Sequence, residues 1–263
     1  MTRGSLRVVV AGAGGKMGQA LIESVLADEA LQLAAALDAE GSPAVGRSFG
    51  GVTVGSDIGK AVAAGDVLID FTRPEGTLEH LEACAKLRKA IVIGTTGISD
   101  SLRKAIIRAG SRIPIAMSPN FAVGVNAVFK LAEVAAGILG SDFDVEIVEA
   151  HHRHKVDAPS GTALKLGEVV AAALGRDPAK VFVHGREGDT GERDPKEIAF
   201  HALRGGDIVG EHTVMFAGMG ERVEVTVRSS SRSTYATGAL RAAKFLSGKR
   251  NGLFDMQDVL GLR

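Results

Sequence analysis

Hydrophobic positions follow two different rhythms along the chain. In the first half, short apolar runs alternate with stretches of helical period. Leu6 to Ala11 is an apolar run ending at a glycine, the pattern of a strand buried on both faces. From Lys16 to Ala27, the residues Met17, Ala20, Leu21 and Val25 share one helical face, and Leu31 to Leu37 is the next strand. Residues 39–56 are rich in Gly, Ser and Pro and predict a loop. Val67 to Ile69, Ile91 to Ile93 and Ile113 to Ala116 predict further strands. Between them lie helices carrying Leu78, Leu81 and Ala85, and then Leu102 to Ile107. The alternation implies an α/β domain, a doubly wound and mostly parallel sheet with helices on both faces.

After residue 122 the rhythm changes. An Ala- and Val-rich helix over 124–139 precedes Asp142 to Glu149, where Phe143, Val145 and Ile147 alternate with acidic residues. Arg222 to Arg228 likewise sets Val223, Val225 and Val227 between polar residues. A period of two marks strands with one wet face, so the second domain is predicted to be α+β with an open, mostly antiparallel mixed sheet. Residues 184–196 predict a long polar loop, and Tyr235 to Leu246 a helix with Ala236, Ala239, Leu240 and Ala243 in phase. At 263 residues the chain also exceeds the ~150 residues of one typical domain. The expected division is a dinucleotide-binding domain over 1–122, to which 232–263 return, and a substrate-binding and oligomerisation domain over 123–231.

Composition narrows the function classes. Hydrophobic residues make up 45% of the chain, enough for a sizeable core, yet no run of 18 or more apolar residues predicts a membrane span. Lys plus Arg and Asp plus Glu number 31 each, so no global field calls for nucleic acid or an anionic membrane as partner. Any basic site must be local. The single cysteine, Cys84, excludes a disulfide framework within the chain and a Cys-based zinc site. The chain enters a strand almost at once with no signal-peptide pattern, which predicts a cytoplasmic protein, enzyme or binding module.

The loop after the first strand is Gly12-Ala13-Gly14-Gly15-Lys16-Met17-Gly18. Met17 breaks a strict GxGxxG pattern counted from Gly12, whereas GxxGxxG (Gly12, Gly15, Gly18) fits. Glycines at such a turn let the backbone approach a pyrophosphate, and the following helix offers unpaired N–H groups to it. Asp38 ends the second strand, 20 residues beyond Gly18, where an acid can accept from an adenosine ribose diol. With Ala39 next, no arginine follows to receive a 2′-phosphate, although Lys16 could contribute there, which favours NADH with NADPH tolerated. The turns Phe71-Thr72-Arg73-Pro74, Gly94-Thr95-Thr96-Gly97 and Ser118-Pro119-Asn120-Phe121 follow successive strands. In a Rossmann-like sheet these carboxyl ends share one ligand-binding edge.

A second concentration of chemistry is Glu149-Ala150-His151-His152-Arg153-His154-Lys155-Val156-Asp157-Ala158-Pro159-Ser160-Gly161-Thr162. All five residues from 151 to 155 are His, Lys or Arg in a chain of zero net charge. Three readings compete. A zinc site would need further ligands, and Arg153 and Lys155 among the histidines oppose it, so no metal is expected. A solvated basic turn is the plain alternative. An anion-binding acid/base site explains more, since histidine exchanges protons near neutral pH and lysine supplies a cation that can also donate. Ser160 is placed to cap the next helix, though Ala163 three residues on leaves no capping box. The N–H groups near Gly161 and Thr162 could bind a carboxylate, unless this is a helix start and nothing more.

These segments resemble the dihydrodipicolinate reductase family nearly end to end. The resemblance rests on the loop at 12–18, Asp-Phe-Thr-Arg-Pro-Glu-Gly-Thr at 70–77, Gly-Thr-Thr-Gly at 94–97 and Asn-Phe-Ala-Val-Gly-Val-Asn at 120–126. It continues through the segment 149–163, the most specific of all, then Arg-Gly-Gly-Asp-Ile-Val-Gly-Glu-His-Thr at 204–213 and Gly-Leu-Phe-Asp-Met at 252–256. The resemblance implies that a hydride from NADH or NADPH reduces a small cyclic dicarboxylate, with loss of water, to tetrahydrodipicolinate. It implies an acid/base role for His151, a proton-donor role for Lys155, and substrate contacts from His152, Gly161 and Thr162. It also implies cofactor contacts from Gly12, Ala13, Gly14, Gly15, Lys16, Met17, Asp38, Gly94, Thr95, Thr96, Ser118, Pro119, Asn120 and Phe121, and a homotetramer built through the second domain's sheet. Ala39 stands where some members have arginine, and Ser118-Pro119 where some have two small apolar residues. Two rivals remain: a dehydrogenase of another small acid, against which 151–155 speaks, and an inactive NAD(P)-binding regulator, which predicts loss of His151 or Lys155.

Overall fold

The apolar run at the start of the chain forms the first strand of a parallel sheet, and its alternate residues go to opposite sides. Val8 and Val10 join one core cluster, Val9 and Ala11 the other. A computed structural model describes residues 4–231 and 233–263. In chain order the elements are β1 (Leu6–Ala11), α1 (Lys16–Leu26), β2 (Leu31–Leu37), β3 (Ser48–Phe49), β4 (Val52–Gly55), α2 (Ile58–Ala64), β5 (Val67–Asp70) and α3 (Pro74–Leu87). They continue with β6 (Ala90–Ile93), α4 (Asp100–Gly110), β7 (Pro114–Met117), α5 (Val123–Leu139), β8 (Asp144–His151), α6 (Gly161–Ala173), α7 (Pro178–Val181) and β9 (Phe182–His184). The last are β10 (Ile198–Arg204), β11 (Gly210–Ala217), β12 (Arg222–Ser229), α8 (Ser233–Leu246), β13 (Gly252–Phe254) and α9 (Met256–Leu260). The chain divides into two units, Met1–Val123 with Arg232–Arg263, and Gly124–Ser231.

In the first unit the strand order is β13-β7-β6-β5-β1-β2-β4-β3, parallel throughout except at the β3–β4 edge. One face is covered by Leu21, Ile22 and Val25 of α1 and by Ala236, Ala239, Leu240, Ala243 and Leu246 of α8. The other is covered by Val62 of α2, Leu81 and Cys84 of α3, and Leu102 and Ile106 of α4. Each large aliphatic side chain buried in this way contributes roughly 1.5–3 kcal/mol. The residues after 232 thus supply half of one helical layer. The stretch 39–56 is not wholly a loop: β3 and β4 form a hairpin there, and Val54 is buried beside β2. Its turn is Gly50-Gly51, both at positive φ, and the surrounding glycines dilute the apolar pattern that would have marked strands.

In the second unit the order is β12-β11-β8-β10-β9. The sheet is mixed, but β11 pairs antiparallel with β8 and β12 while β10 pairs parallel with β8 and β9. Antiparallel pairings therefore equal the parallel ones rather than outnumbering them. The connection from β8 through α6 and α7 brings the chain back in the same direction, as a helical crossover does. Val145 and Ile147 of β8, Ile198 and Phe200 of β10, and Val214 and Phe216 of β11 are buried on the inward face with Leu166 and Val170 of α6. On the opposite face Glu146 takes ion pairs from Arg186, Arg193 and His201, which pins the polar 184–196 segment to the sheet. Burial pushes the Glu146 carboxyl up, but the hydrogen bonds from Arg186, His201 and Arg193 outweigh it and hold it at about 2.

The stretch Val123–Asp142, with mean hydropathy 1.5, is apolar enough by length and composition to cross a membrane. The sequence shows no unbroken apolar run there because Asn126, Lys130 and Glu133 interrupt it. In the structure Val125, Val128, Phe129, Ala132 and Ala136 are core residues and Lys130 pairs with Glu133, so α5 has one face in the second unit's core.

Candidate active site

Four turns meet at the carboxyl edge of the first unit, because β7, β6, β5 and β1 are neighbours and all parallel. After β1, Gly12 has φ +72° and its carbonyl accepts from Gly15 N at 3.0 Å. A Cβ on Gly18 would lie 2.0 Å from that same carbonyl oxygen, so helix α1 starts in direct contact with the loop. Gly15 caps α1 with no side-chain hydrogen bond, and no acidic residue stands in the first turn. Those conditions leave the leading N–H groups of Lys16 and Met17 to an outside acceptor.

The Asp38 carboxylate braces the loop, accepting from Gly14 N at 2.6 Å and from Ala39 N at 2.8 Å. A Cβ on Gly14 would sit 2.7 Å from Ala44 Cβ and 2.9 Å from Asp38 Oδ2, so only glycine fits this cradle. Backbone amides, an open helix start and an acid at the end of β2 are the donor and acceptor set a dinucleotide requires.

The remaining turns are fixed by their own polar contacts. Asp70, fully buried, accepts from Thr72 N at 2.8 Å and from Thr72 Oγ1 at 2.6 Å. His80 Nδ1 stands 3.3 Å from Asp70 Oδ2, an ion-pair distance without hydrogen-bond alignment. Burial raises the Asp70 carboxyl, but His80 and Thr72 more than offset it and hold it below the ordinary range. Thr77 Oγ1 donates to buried Thr95 Oγ1 at 2.8 Å, beside the exposed Thr96. Ser118 Oγ donates to the Asn120 carbonyl at 2.8 Å, next to exposed Pro119. Phe121 is buried against Phe71, whose ring would meet any Cβ on Gly94 at 2.2 Å. Asp70 and His80 carried no expectation from sequence, and between them they hold the β5 turn.

The second unit assembles its polar site at the end of β8. Glu149 is 1% exposed and receives four hydrogen bonds. His151 Nδ1 lies 2.6 Å from Oε2, Arg204 reaches both oxygens at 2.8 and 2.7 Å, and Ser160 N donates to Oε1 at 3.0 Å. Burial pushes the Glu149 carboxyl up, and Arg204, His151 and the Ser160 N–H together overcome it and keep it ionised below its usual range. For His151 burial lowers the pKa first, Glu149 raises it, Lys155 and Arg204 lower it, and the net shift is down. Its ring meets that of buried His212 edge to face at 5.1 Å. Opposite His151 on β11 stands Gly210, where a Cβ would come within 3.1 Å of His151 Nε2.

Lys155 Nζ is held by Asp157 at 2.7 and 2.8 Å. His152 is half-buried, and among the described residues its Nδ1 has no partner. Ser160 caps α6 by accepting from Ala163 N at 3.2 Å, so Gly161 and Thr162 form the first turn beside the histidines. The same hydroxyl lies 2.9 Å from His212 Nε2. Burial, with His151 alongside, pushes His212 down to about 4, so near neutral pH it shares its hydrogen bond with Ser160 as an uncharged imidazole. His151, His152, Lys155, Gly161 and Thr162 are thus brought together within this unit. Glu149, Arg204 and His212 join them without having been expected. A cavity of about 510 Å³ among Lys86, Arg88, Arg112 and Arg250 lies at the far ends of α3 and α4, where cations offset helix dipoles.

Comparison with known proteins identifies the family and the fold. Residues 6–121 match the family model "Dihydrodipicolinate reductase, N-terminus", and residues 124–260 match "Dihydrodipicolinate reductase, C-terminus". The chain is 58% identical to the 4-hydroxy-tetrahydrodipicolinate reductase of Aromatoleum aromaticum, covering 98% of this chain and 96% of the relative. It is 57% identical to that of Cupriavidus necator, covering 98% and 100%. A dipicolinate-bound dihydrodipicolinate reductase from Paenisporosarcina sp. TG-14 superposes with a TM-score of 0.80 at 27% identity, covering 97% of this chain and 98% of that one. A scyllo-inositol dehydrogenase from Lactobacillus casei, solved with NAD(H), shares the fold at a TM-score of 0.60 and 14% identity over 98% and 94% of the two chains. The chain therefore belongs to the dihydrodipicolinate reductase family.

Proposed function

We propose that this protein reduces 4-hydroxy-tetrahydrodipicolinate to tetrahydrodipicolinate in lysine and diaminopimelate biosynthesis, using NADH in preference to NADPH. The reaction takes one hydride and one proton into the ring and releases one water. NAD(P)H, when bound, supplies the hydride. The observation that carries the reading is the cluster at the end of β8, where His151, Lys155 and the Ser160-capped start of α6 come together. His151 Nε2 holds or passes the proton, since Nδ1 is engaged by Glu149 at 2.6 Å. Lys155 delivers a proton from an ammonium already oriented by Asp157. His152 and the N–H groups of Gly161 and Thr162 receive the substrate carboxylates, as a helix N-terminus does.

In the first unit, Gly12 to Met17, Gly94, Thr95, Thr96 and Ser118 to Phe121 form the cofactor surface. Asp38 with Ala39 beside it suits a free ribose diol better than a 2′-phosphate. The open face of the second unit's sheet, with Leu203 exposed, serves to assemble a cytoplasmic homotetramer. The test mixes the protein with freshly generated substrate and follows nicotinamide absorbance with NADH and with NADPH. Oxidation of both is expected, with the lower KM for NADH. No oxidation of either refutes the activity, and a lower KM for NADPH refutes the assignment of Asp38.

A further inference from the structure

The buried carboxylate of Glu149 has no capacity left once its neighbours are counted. An ionised carboxylate offers about four lone-pair sites. Here His151 Nδ1 and Arg204 Nη1 occupy Oε2, while Ser160 N and Arg204 Nη2 occupy Oε1. Every group facing it donates. Glu149 must therefore accept throughout, and a neutral His151 must carry its proton on Nδ1. Nε2 is then the basic, reactive nitrogen, and among the described residues it has no hydrogen-bond partner. Glycine at position 210 keeps the space beside it clear.

The second oxygen does different work. Ser160 N–H, held by Oε1, belongs to the residue that caps α6, so the same carboxylate fixes where Gly161 and Thr162 begin. Arg204, bonded to both oxygens, fixes the orientation of the carboxylate plane between these two duties and is itself tied to the Asp157 carbonyl at 2.7 Å. His212 secures the cap from the other side through Ser160 Oγ.

We propose that Glu149 is a positioning residue for this reaction, one oxygen setting the tautomer of His151 and the other setting the helix start that receives the substrate carboxylate. The inference rests on the function proposed above. Glutamine cannot replace it: its amide nitrogen would turn donors toward either the His151–Arg204 pair or the Ser160–Arg204 pair, breaking one half of the arrangement. The groups facing His151 are Glu149 on its own strand, Arg204 on β10, His212 on β11, and Lys155 in the following loop. Of these only Glu149 is anionic, so its removal lowers the His151 pKa further.

The experiment has two arms. The first records ¹⁵N spectra of histidine-labelled parent protein without substrate, and His151 is expected with its proton on Nδ1. A predominantly Nε2-protonated His151 overturns the proposal, with no variant having to fold and no turnover required. The second compares Glu149→Gln and Glu149→Asp with the parent for kcat, KM and pH profile, cofactor affinity being measured alongside. Glu149→Gln is expected to lower kcat by about 100-fold or more, the scale of a lost acid/base group. The profile limb belonging to His151 moves to lower pH, and cofactor affinity holds. Asp, one methylene shorter, should restore part of kcat and move the limb back toward the parent's position. A kcat within threefold of the parent with an unmoved profile overturns the proposal. Absence of turnover in the parent itself strikes the functional reading instead, and the spectra still decide the role of Glu149.

Discussion

His212 should make the protein's stability fall between pH 7 and pH 5. The imidazole is 4% exposed, packs edge to face on His151, and is pushed by burial from 6.5 to about 4. In the unfolded chain it titrates near its ordinary 6.5. Between those two values the unfolded state binds more protons than the folded one, so the stability of the fold decreases as pH falls through that window. Each unit of separation is worth about 1.4 kcal/mol, and the two binding curves differ by about 2 kcal/mol between pH 7 and pH 5. His151, also shifted down, acts in the same sense. The carboxylates that are held low, Glu149 and Glu146, titrate mostly below this range.

Urea unfolding at one protein concentration should therefore show a midpoint that drops on acidification. His212→Gln, which keeps a hydrogen-bonding side chain for Ser160, should shrink that drop by about 2 kcal/mol. An NMR titration of histidine-labelled protein reads the group directly. A His212 midpoint near 6.5 refutes the reasoning, whatever the unfolding curves do.

Two substitutions test the glycines that the sites depend on. Gly18→Ala sets a methyl 2.0 Å from the Gly12 carbonyl oxygen and must displace backbone. It should destabilise the first unit by about 1–3 kcal/mol, the range for overpacking, and weaken NADH binding at least tenfold in a fluorescence titration. An unchanged Kd counts against the loop as the phosphate cradle. Gly210→Ala sets a methyl 3.1 Å from His151 Nε2 at a position with no backbone requirement for glycine. Steady-state kinetics should show kcat reduced roughly tenfold with cofactor Kd unaltered, a loss of about 1.4 kcal/mol in the transition state; full activity means Nε2 does not work on that side.

The first unit was the more legible half, for a physical reason. Strands buried on both faces are nearly continuous apolar runs, and helices packed on them repeat at i, i+3 and i+4, so each element announces itself locally. Leu6 to Ala11 and Leu31 to Leu37 are strands with the bounds their apolar runs define. The same logic failed at 39–56, where the strands are two and four residues long and separated by Gly50-Gly51. The second unit's direction was harder, because a period of two says that a strand has one wet face and nothing about which way its neighbour runs. The parallel β8–β10 pairing depends on the path of α6 and α7, which alternation does not encode.

The groups that the sequence concealed at the second site come from three strands, yet they obey a single rule. On β8 the inward positions are Val145, Ile147, Glu149 and His151; on β11, read toward the same edge, they are Phe216, Val214 and His212; on β10, Ile198, Phe200, Ala202 and Arg204. Each strand is apolar inward until its end and then turns charged or basic while keeping parity. Glu149 sits opposite His212, and Arg204 opposite His151. A hydrophobic face that changes chemistry without changing phase cannot be satisfied by packing alone, since ionised groups out of water need partners. Three strands doing so at one edge supply those partners to one another. The histidine cluster at 151–155 stood out because it is contiguous. Its support stands at positions 149, 204 and 212, legible only once the register of the sheet places them side by side.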